Sequence, residues 1–282
     1  MTYRKELVTI LHIITGLGDG GAEALLRNIC LKEKEINHVI FSLSKGGRNY
    51  YFLKKNGYDV YFLNLFELVL FFPALKKFKE IFKNHKPNKI QSWMYHACFV
   101  VSIFNIFLEE KIEIIWAFHV TTLKKGFSIT KLIRFFLKNL SFYLPSKIIY
   151  CSNKGKEFHE FLGFAKYKSL VIFNGYDIKK FKISENKVKI LDYKNENKQK
   201  FSIGMVARYH PQKDHENLLK ALKILIKETN IDFHCFLVGE GINKDNLALY
   251  NLIKKLEIKN NLTLLGQRDD IELFMRNIDI HV

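Results

Sequence analysis

Short apolar runs alternate along this chain with longer stretches of helical periodicity, and this alternation constrains the fold more than any other feature. Several of the runs carry apolar residues on both faces, as parallel strands covered by helices do. Strands alternating with helices indicate a parallel α/β fold. The strands predicted in the first part of the chain are Val8–Ile14, His38–Leu43, Asp59–Leu63, Lys89–Trp93, Ile112–Phe118 and Lys147–Cys151.

A second α/β series follows a break. Asn174-Gly175 is a turn signal, and the polar stretch Lys182–Lys200 has few large apolar residues. We therefore predict two domains, 1–182 and 183–282. The second series is predicted as strand Phe201–Val206, helix Asn217–Glu228, strand His234–Val238, helix Lys244–Leu256, strand Leu262–Leu265, helix Asp270–Asn277 and strand Ile278–Val282. Since it stops on a strand with no following helix, we expect the second domain to be incomplete.

The composition is that of a folded protein without a membrane span or a metal-binding cysteine motif. Hydrophobic residues make up 48% of the 282 residues, enough for a full core. The apolar run Ala97–Leu108 is shorter than the ~18 residues that a span needs. The four cysteines form no C-x-x-C and no zinc-type spacing, which predicts reduced thiols in a cytoplasmic protein.

The net charge of +17 is concentrated in the first domain. Residues 1–182 hold 29 Lys and Arg against 14 Asp and Glu, whereas residues 183–282 hold 16 against 14. Such an excess favours phosphates of nucleic acid, of nucleotides or of an anionic membrane, although a lysine-rich surface can also be a compositional bias. Stretches Phe66–Lys83 and Leu123–Lys147 mix lysines with apolar residues, as a helix on a bilayer does or as an ordinary helix covering a sheet does.

A glycine-rich segment, Gly16–Gly21, links the first strand to a predicted helix. Glycines allow close backbone approach, and a helix N-terminus attracts anions. The segment fits G-x-G-x-x-G, but a dinucleotide site needs an acidic residue at the end of the second strand. That strand ends in Ser42–Lys45, without an acid. A phosphate site and a simple tight turn both remain open, and nicotinamide binding is disfavoured.

Two histidines follow strands at the edge where ligands bind in open α/β sheets. His96 comes after Lys89–Trp93, and His119 directly after Ile112–Phe118. We predict that both histidines belong to a ligand-binding site at this edge. A surface or helix-capping role is the alternative, especially for His96.

In the second domain, candidate ligand-binding residues follow three strands in turn. Arg208 and Lys213 lie five residues apart on a loop that leads into a helix, where two cations can converge on a diphosphate. A solvated loop is the alternative. The later strands are followed by residues suited to backbone contact with a nucleotide, namely Gly239, Gly241, Gly266 and Gln267.

Taken in order, these segments resemble the family-4 (group 1) glycosyltransferases. Gly20–Glu23 looks like their G-G-A-E, and the interdomain V-I-x-N-G-[IV]-D…F is similar to Val171–Phe181. Three further segments also fit the family. Gly204–Lys213 fits G-x-V-x-R…K-G, Leu237–Gly241 fits L-V-G-x-G and Leu264–Gly266 fits F-L-G. Asp214 departs from the glycine after the lysine, Tyr176 from Ile or Val, and the E-x7-E segment expected after the last strand is absent from this sequence.

The resemblance implies a GT-B fold, in which two Rossmann-like domains face a cleft. It implies retaining transfer of a sugar from a UDP- or GDP-sugar without a cofactor or a required metal, and the sequence has no D-x-D to hold one. Arg208 and Lys213 would stabilise the leaving diphosphate. The Gly20-Gly21 loop would close over it. His119 would be catalytic, either positioning the donor or transferring a proton, and His96 would lie on the acceptor side.

We therefore expect a cytoplasmic transferase of surface-glycan assembly, such as lipopolysaccharide or capsule, acting on a glycan or lipid-linked acceptor at or near an anionic membrane. A nucleotide-sugar epimerase of the same fold and an inactive nucleotide-binding remnant are the alternatives. Nucleic-acid binding is disfavoured, because neither an aromatic-interleaved basic strand nor a helix-turn-helix is present.

Overall fold

The computed structural model of the chain describes residues 7–62, 71–120, 129–181 and 201–282. They belong to two compact units, Met1–Gly175 and Tyr176–Val282. The division falls a few residues before the predicted boundary at Lys182, which itself lies outside the described residues. No helix in the described part of the chain is both long and apolar enough to cross a bilayer.

The first unit is a parallel sheet of seven strands with helices between them. Its order is β3-β2-β1-β4-β5-β6-β7, which is the doubly wound order with one further strand. The strands are β1 Val8–Ile14, β2 Ile36–Ser42, β3 Asp59–Phe62, β4 Lys89–Trp93, β5 Glu113–Phe118, β6 Lys147–Tyr150 and β7 Ser169–Val171. The helices are α1 Gly21–Lys32, α2 Arg48–Lys55, α3 Phe71–His85, α4 Met94–Asn105, α5 Ile129–Leu140 and α6 Asn153–Phe161.

The strands of this sheet are apolar on both faces because helices cover both. Along β2, Val39 and Phe41 pack into the larger core cluster, whereas Ile40 between them packs into the cluster on the opposite face. Successive side chains of a strand alternate between faces. The chain order reverses between β1 and β4, so the loops that follow these two strands flank the switch point where such sheets bind ligands.

The second unit is a smaller sheet of the same kind, with the order β10-β9-β8-β11. Its strands are β8 Phe201–Val206, β9 Phe233–Val238, β10 Leu262–Leu264 and β11 Ile280–His281. Its helices are α7 His215–Glu228, α8 Leu247–Leu256 and α9 Ile271–Arg276. All of its strand pairs are parallel, so the predicted α/β class is confirmed for both units.

The predicted elements are confirmed, with shifts at their ends. The helix predicted from Lys244 begins at Leu247, because the Asn246 side chain accepts a hydrogen bond from the Leu249 N–H at 3.2 Å and caps it. The helix predicted from Asn217 begins at His215. Strand β7, three residues at the sheet edge, was not predicted as a strand. The predicted end of β3 at Leu63 lies outside the described residues.

Candidate functional site

The glycine segment of the first unit lies at the switch point of the sheet. It follows β1, and α1 begins at Gly21 with Gly20 as its N-cap residue and no side-chain cap. The register pairs Ile14, the last residue of β1, with Trp93, the last of β4. The uncapped N-terminus of α1 therefore presents backbone N–H groups at the edge where an anion binds favourably.

A turn before α2 holds this glycine segment in place. The Asn49 backbone N–H donates to the Leu17 carbonyl at 3.0 Å, and the Asn49 side-chain amide donates to the Gly18 carbonyl. Gly47 has φ 102°, and a Cβ there would meet the Leu17 carbonyl. No motif marked Asn49 or Gly47, because their role depends on a contact across some thirty residues.

His119 lies directly after β5, beside the end of β4. Its imidazole stacks on the Trp93 indole, with ring centroids 5.4 Å apart and planes inclined by 17°. The His119 backbone N–H points to the Met94 sulfur at 3.4 Å, and Met94 itself has φ 68°. Burial lowers the pKa of His119, so the ring is neutral near pH 7.

The neutral ring of His119 keeps hydrogen-bonding capacity for a ligand. Its Nδ1 is buried and has no hydrogen-bond partner among the described residues. His96, in the first turn of α4, lies elsewhere: its Nε2 is 3.5 Å from the Thr130 hydroxyl on α5, and burial lowers its pKa. His119 Nδ1 is thus without a partner among the described residues, at the edge of the sheet. The acceptor-side role of His96 stays a prediction.

In the second unit, Arg208 and Lys213 lie on the loop between β8 and α7. The loop ends in a 3-10 turn, Pro211–Lys213, and both cationic side chains are exposed. Neither has an ion-pair or hydrogen-bond partner in the described part of the chain. The neighbouring Arg268, by contrast, forms a two-bond ion pair with Asp270, at 2.6 and 2.7 Å. Arg208 and Lys213 are therefore available to an anionic ligand.

The backbone conformation of Asp214 explains why aspartate can replace the glycine that usually follows the lysine in the family pattern. It adopts the left-handed conformation, with φ 51°, between the 3-10 turn and α7. Glycine takes this conformation without strain, and aspartate is among the few other residues that tolerate it. The position that follows the lysine thus requires a positive φ, which Asp214 provides.

Backbone hydrogen bonds join the three loops that follow β8, β9 and β10. The Ala207 N–H donates to Val238, the Tyr209 N–H to Glu240 and the Gly239 N–H to Gly266, each at 2.8 Å. Gly239, Gly241 and Gly266 all have positive φ. Because these strands are neighbours, the loops bring Arg208 and the predicted glycines to one edge of the sheet.

This network also restricts how the glycines can bind a ligand. The Gly239 N–H is used within the protein and is not available to a phosphate. Gln267 is exposed next to Gly266 on the same edge. Two exposed cations beside rigid loops form a site suited to a diphosphate.

Comparison with known proteins shows which families and folds the chain resembles. The model of the family described as "Glycosyl transferases group 1" matches residues 187–282. The UDP-Gal:alpha-D-GlcNAc-diphosphoundecaprenol alpha-1,3-galactosyltransferase of Escherichia coli is 35% identical over 120 residues. The match covers 41% of this chain and 30% of that relative.

Solved structures resemble the chain over nearly its whole length. Alr3699/HepE of Anabaena, in complex with UDP-glucose, has a TM-score of 0.79 at 21% identity, covering 97% of this chain and 72% of that chain. A glycosyltransferase from Rickettsia africae has a TM-score of 0.71 at 19% identity, covering 98% and 72%. Residues 187–282 thus match the group 1 glycosyltransferases, and the chain has the GT-B fold.

Proposed function

We propose that the chain transfers a sugar, with retention of anomeric configuration, from a nucleoside-diphosphate sugar to a lipid-linked glycan acceptor in surface-polysaccharide assembly. The observation that carries the proposal is a pair of exposed cations, Arg208 and Lys213, on the loop that follows β8, neither of which has a partner among the described residues. The solved neighbour HepE, which shares the fold, holds UDP in one structure and UDP-glucose in another.

Charge neutralisation of the leaving diphosphate is the central chemical task of such a transfer. Arg208 offers a rigid fork of donors and Lys213 a compact point charge. Each charged hydrogen bond contributes roughly 1.5–3 kcal/mol, against the ~8 kcal/mol that a micromolar affinity requires. With these two cations in place, the proposed reaction needs no metal ion.

His119 has the properties of a residue that touches the donor sugar or the acceptor hydroxyl. Its ring is neutral, and its Nδ1 has no partner among the described residues. A neutral imidazole both donates and accepts hydrogen bonds, so it can hold a sugar hydroxyl or relay a proton. We assign His119 this role in the proposed transfer.

The proposal predicts that the chain binds UDP through its diphosphate. Calorimetric titration should give one site with a Kd in roughly the micromolar range, and UDP should bind at least tenfold more tightly than uridine. A folded chain that binds neither UDP nor GDP at millimolar concentration would contradict the proposal. Product analysis with a UDP-sugar separates transfer, which yields free UDP and a glycosylated acceptor, from epimerisation, which yields a second nucleotide-sugar.

The lipid-linked acceptor is supported by the surface of α5. Exposed side chains at positions i, i+3, i+7 and i+11 form an apolar stripe on this helix, namely Ile129, Leu132, Phe136 and Leu140. A concavity of about 200 Å³ on another side of this helix is lined by the cationic side chains of Lys131, Arg134 and Lys138. A helix with an exposed apolar stripe and cations on its other side suits an anionic bilayer. Residues 66–70 and 123–128 of the two predicted basic segments lie outside the described residues.

The charge of this region fits the same partner. No acidic residue occurs between Glu113 and Glu157 in the sequence. The curated relative from Escherichia coli is named for a diphosphoundecaprenol acceptor, which is a lipid. We propose that α5 holds the chain at the membrane surface where such an acceptor lies.

Vesicle sedimentation tests this placement. We expect the chain to bind vesicles of phosphatidylglycerol and phosphatidylcholine, and to bind pure phosphatidylcholine at least tenfold more weakly. The double substitution Leu132→Ser with Phe136→Ser should weaken binding at least tenfold, because it removes apolar surface from the stripe. Tyr51→Ser, at a still more exposed aromatic residue on α2, is the control. Equal sedimentation of the double variant and the parent would rule out α5 as the contact.

A further inference from the structure

Four aromatic or imidazole rings form a row across neighbouring strands of the first unit. His38 lies on β2, His12 on β1, Trp93 at the end of β4 and His119 directly after β5. His12, His38 and Trp93 are 0%, 3% and 1% exposed. Only His119, at the end of the row, belongs to the candidate site.

Hydrogen bonds link the three buried members. The Trp93 indole Nε1 donates to His12 Nδ1 at 3.3 Å. His12 Nε2 lies 2.9 Å from His38 Nδ1, and His38 Nε2 lies 3.2 Å from the Glu33 carbonyl oxygen. The row thus begins at a group that can only donate and ends at a group that can only accept.

These two ends determine the position of every proton in the row. Because the indole N–H donates, His12 Nδ1 must accept, and the His12 proton lies on Nε2. That proton is donated to His38 Nδ1, so His38 carries its own proton on Nε2 and donates it to the Glu33 carbonyl. Both histidines are then neutral and fully bonded, in accord with the burial that lowers the pKa of His12 to about 3.

A metal site is the competing explanation for the same histidines. Ligand atoms of His12, Cys30 and His38 lie within 4.8 Å of one another, and all three residues are buried. A metal bound at His12 Nε2 would move the His12 proton to Nδ1, because a neutral imidazole carries one proton. That proton would then face the indole N–H, two donors against each other. The bond from Trp93 and a metal ion at this cluster are therefore mutually exclusive.

The row has a consequence for His119, since its ring stacks on the indole that the row holds. Two apolar side chains in place of His12 and His38 would fill the core as well, but they would leave the buried indole N–H without a partner. A satisfied buried network fixes one orientation of its members. We propose that His12 and His38 are positioning residues that hold Trp93, and through it His119, in the geometry required for sugar transfer; this rests on the function proposed above.

The first test is spectroscopic and needs no activity. The chain has two tryptophans, and the Trp116 indole N–H, buried without a partner among the described residues, is an internal reference. In a ¹H–¹⁵N spectrum, His12→Leu should move the Trp93 indole resonance upfield and leave that of Trp116 in place. The His119 Cε1–H signal should lose the ring-current shift that stacking produces. An unchanged Trp93 or His119 signal would overturn the proposal.

A matched control separates positioning from general damage to the core. His159 is also fully buried in the first unit, bonded to the Tyr95 hydroxyl at 2.7 Å and to the Gly155 carbonyl at 2.6 Å. His159→Leu should cost similar stability and move the His119 signal less than His12→Leu does, although the His159 ring stacks on Phe118, the residue before His119. If it moves the His119 signal as much as His12→Leu does, the effect is not specific to the row and the proposal fails.

Kinetics provide the second test. His12→Leu should lower kcat by roughly ten- to hundredfold, because small displacements of a reacting group have effects of this size, while UDP affinity changes less than twofold. In the His119→Ala background the same substitution should have little further effect on kcat. Equal losses in both backgrounds would overturn the positioning role. If the chain has no transferase activity but the spectra change as expected, the proposed function fails and the His119 contact stands.

Metal analysis decides between the two explanations of the cluster. The purified chain should contain no stoichiometric zinc at the cluster, and added Co²⁺ should produce no thiolate charge-transfer band. One equivalent of metal that is lost in Cys30→Ser would overturn the proposal in favour of a metal site.

Discussion

Gly239→Ala should destabilise the chain by about 2–6 kcal/mol, the largest loss of stability that we expect from a single methyl group. Gly239 has φ 149°, which residues with a side chain rarely adopt, and such strain costs roughly 1–3 kcal/mol. A Cβ there would also lie within 3.0 Å of the Ala207 carbonyl and of the Arg208 amide nitrogen. Since that obstacle is backbone, the loop itself must shift, at a further cost of roughly 1–3 kcal/mol.

Gly266 supplies the matched control, because it lies in the same network and accepts the hydrogen bond from Gly239 at 2.8 Å. It too has a positive φ, of 67°, but a Cβ there would have ordinary contact, with the Ile242 carbonyl 3.9 Å away. Gly266→Ala should therefore cost only about 1–2 kcal/mol. Urea unfolding followed by circular dichroism measures both variants, and equal midpoints would show that the close approach to Ala207 carries no energy.

Sequence reasoning selected Gly239 without the physical reason that the structure gives for a glycine there. Gly239 was predicted as a backbone contact for a nucleotide. In the structure its N–H bonds to Gly266, and its missing side chain makes room for the loop that carries Arg208. Gly47 does the same for the loop at Leu17. A sequence shows that a glycine is present, but only the packed backbone shows what its missing Cβ would meet.

The strands were predicted well because burial on both faces leaves a local signature. β1, β4 and β8 have the predicted bounds, since apolar residues at consecutive positions are readable without knowledge of the partners. The start of α8, by contrast, was predicted three residues too early. Asn243, Asp245 and Asn246 are all competent capping residues, and the choice of Asn246 depends on which side chain reaches a free N–H in the folded chain.

The row from His38 to Trp93 could not be predicted at all. Its members are 26 and 81 residues apart along the chain, and each one alone is an ordinary core residue. What joins them is the order of β2, β1 and β4 in the sheet, which the sequence does not state. Arg208 and Lys213, by contrast, lie on one loop, and their shared position on it was predictable from their spacing.

Arg208→Ala should weaken UDP binding by roughly 10- to 150-fold, the free-energy equivalent of one charged hydrogen bond. Lys213→Ala should have an effect of similar size. The expected loss in kcat is larger, about 10²–10³-fold for either substitution, because the negative charge on the diphosphate is greatest as the sugar leaves. Arg208→Lys should recover only part of the affinity, since an ammonium cannot reproduce the two-donor contact of a guanidinium.

Lys220→Ala tests whether these effects need the loop and not just positive charge. Lys220 lies on α7, after the same loop, and its ammonium pairs with Glu216 at 2.7 Å on the exposed face. Removing it changes the net charge as much as Lys213→Ala does, and UDP affinity should stay within twofold. If all three alanine variants weaken UDP binding to the same small extent, the effect is long-range attraction. A direct contact of the diphosphate with Arg208 and Lys213 requires that these two variants bind UDP at least tenfold more weakly than Lys220→Ala does. Without that difference, the diphosphate would bind elsewhere.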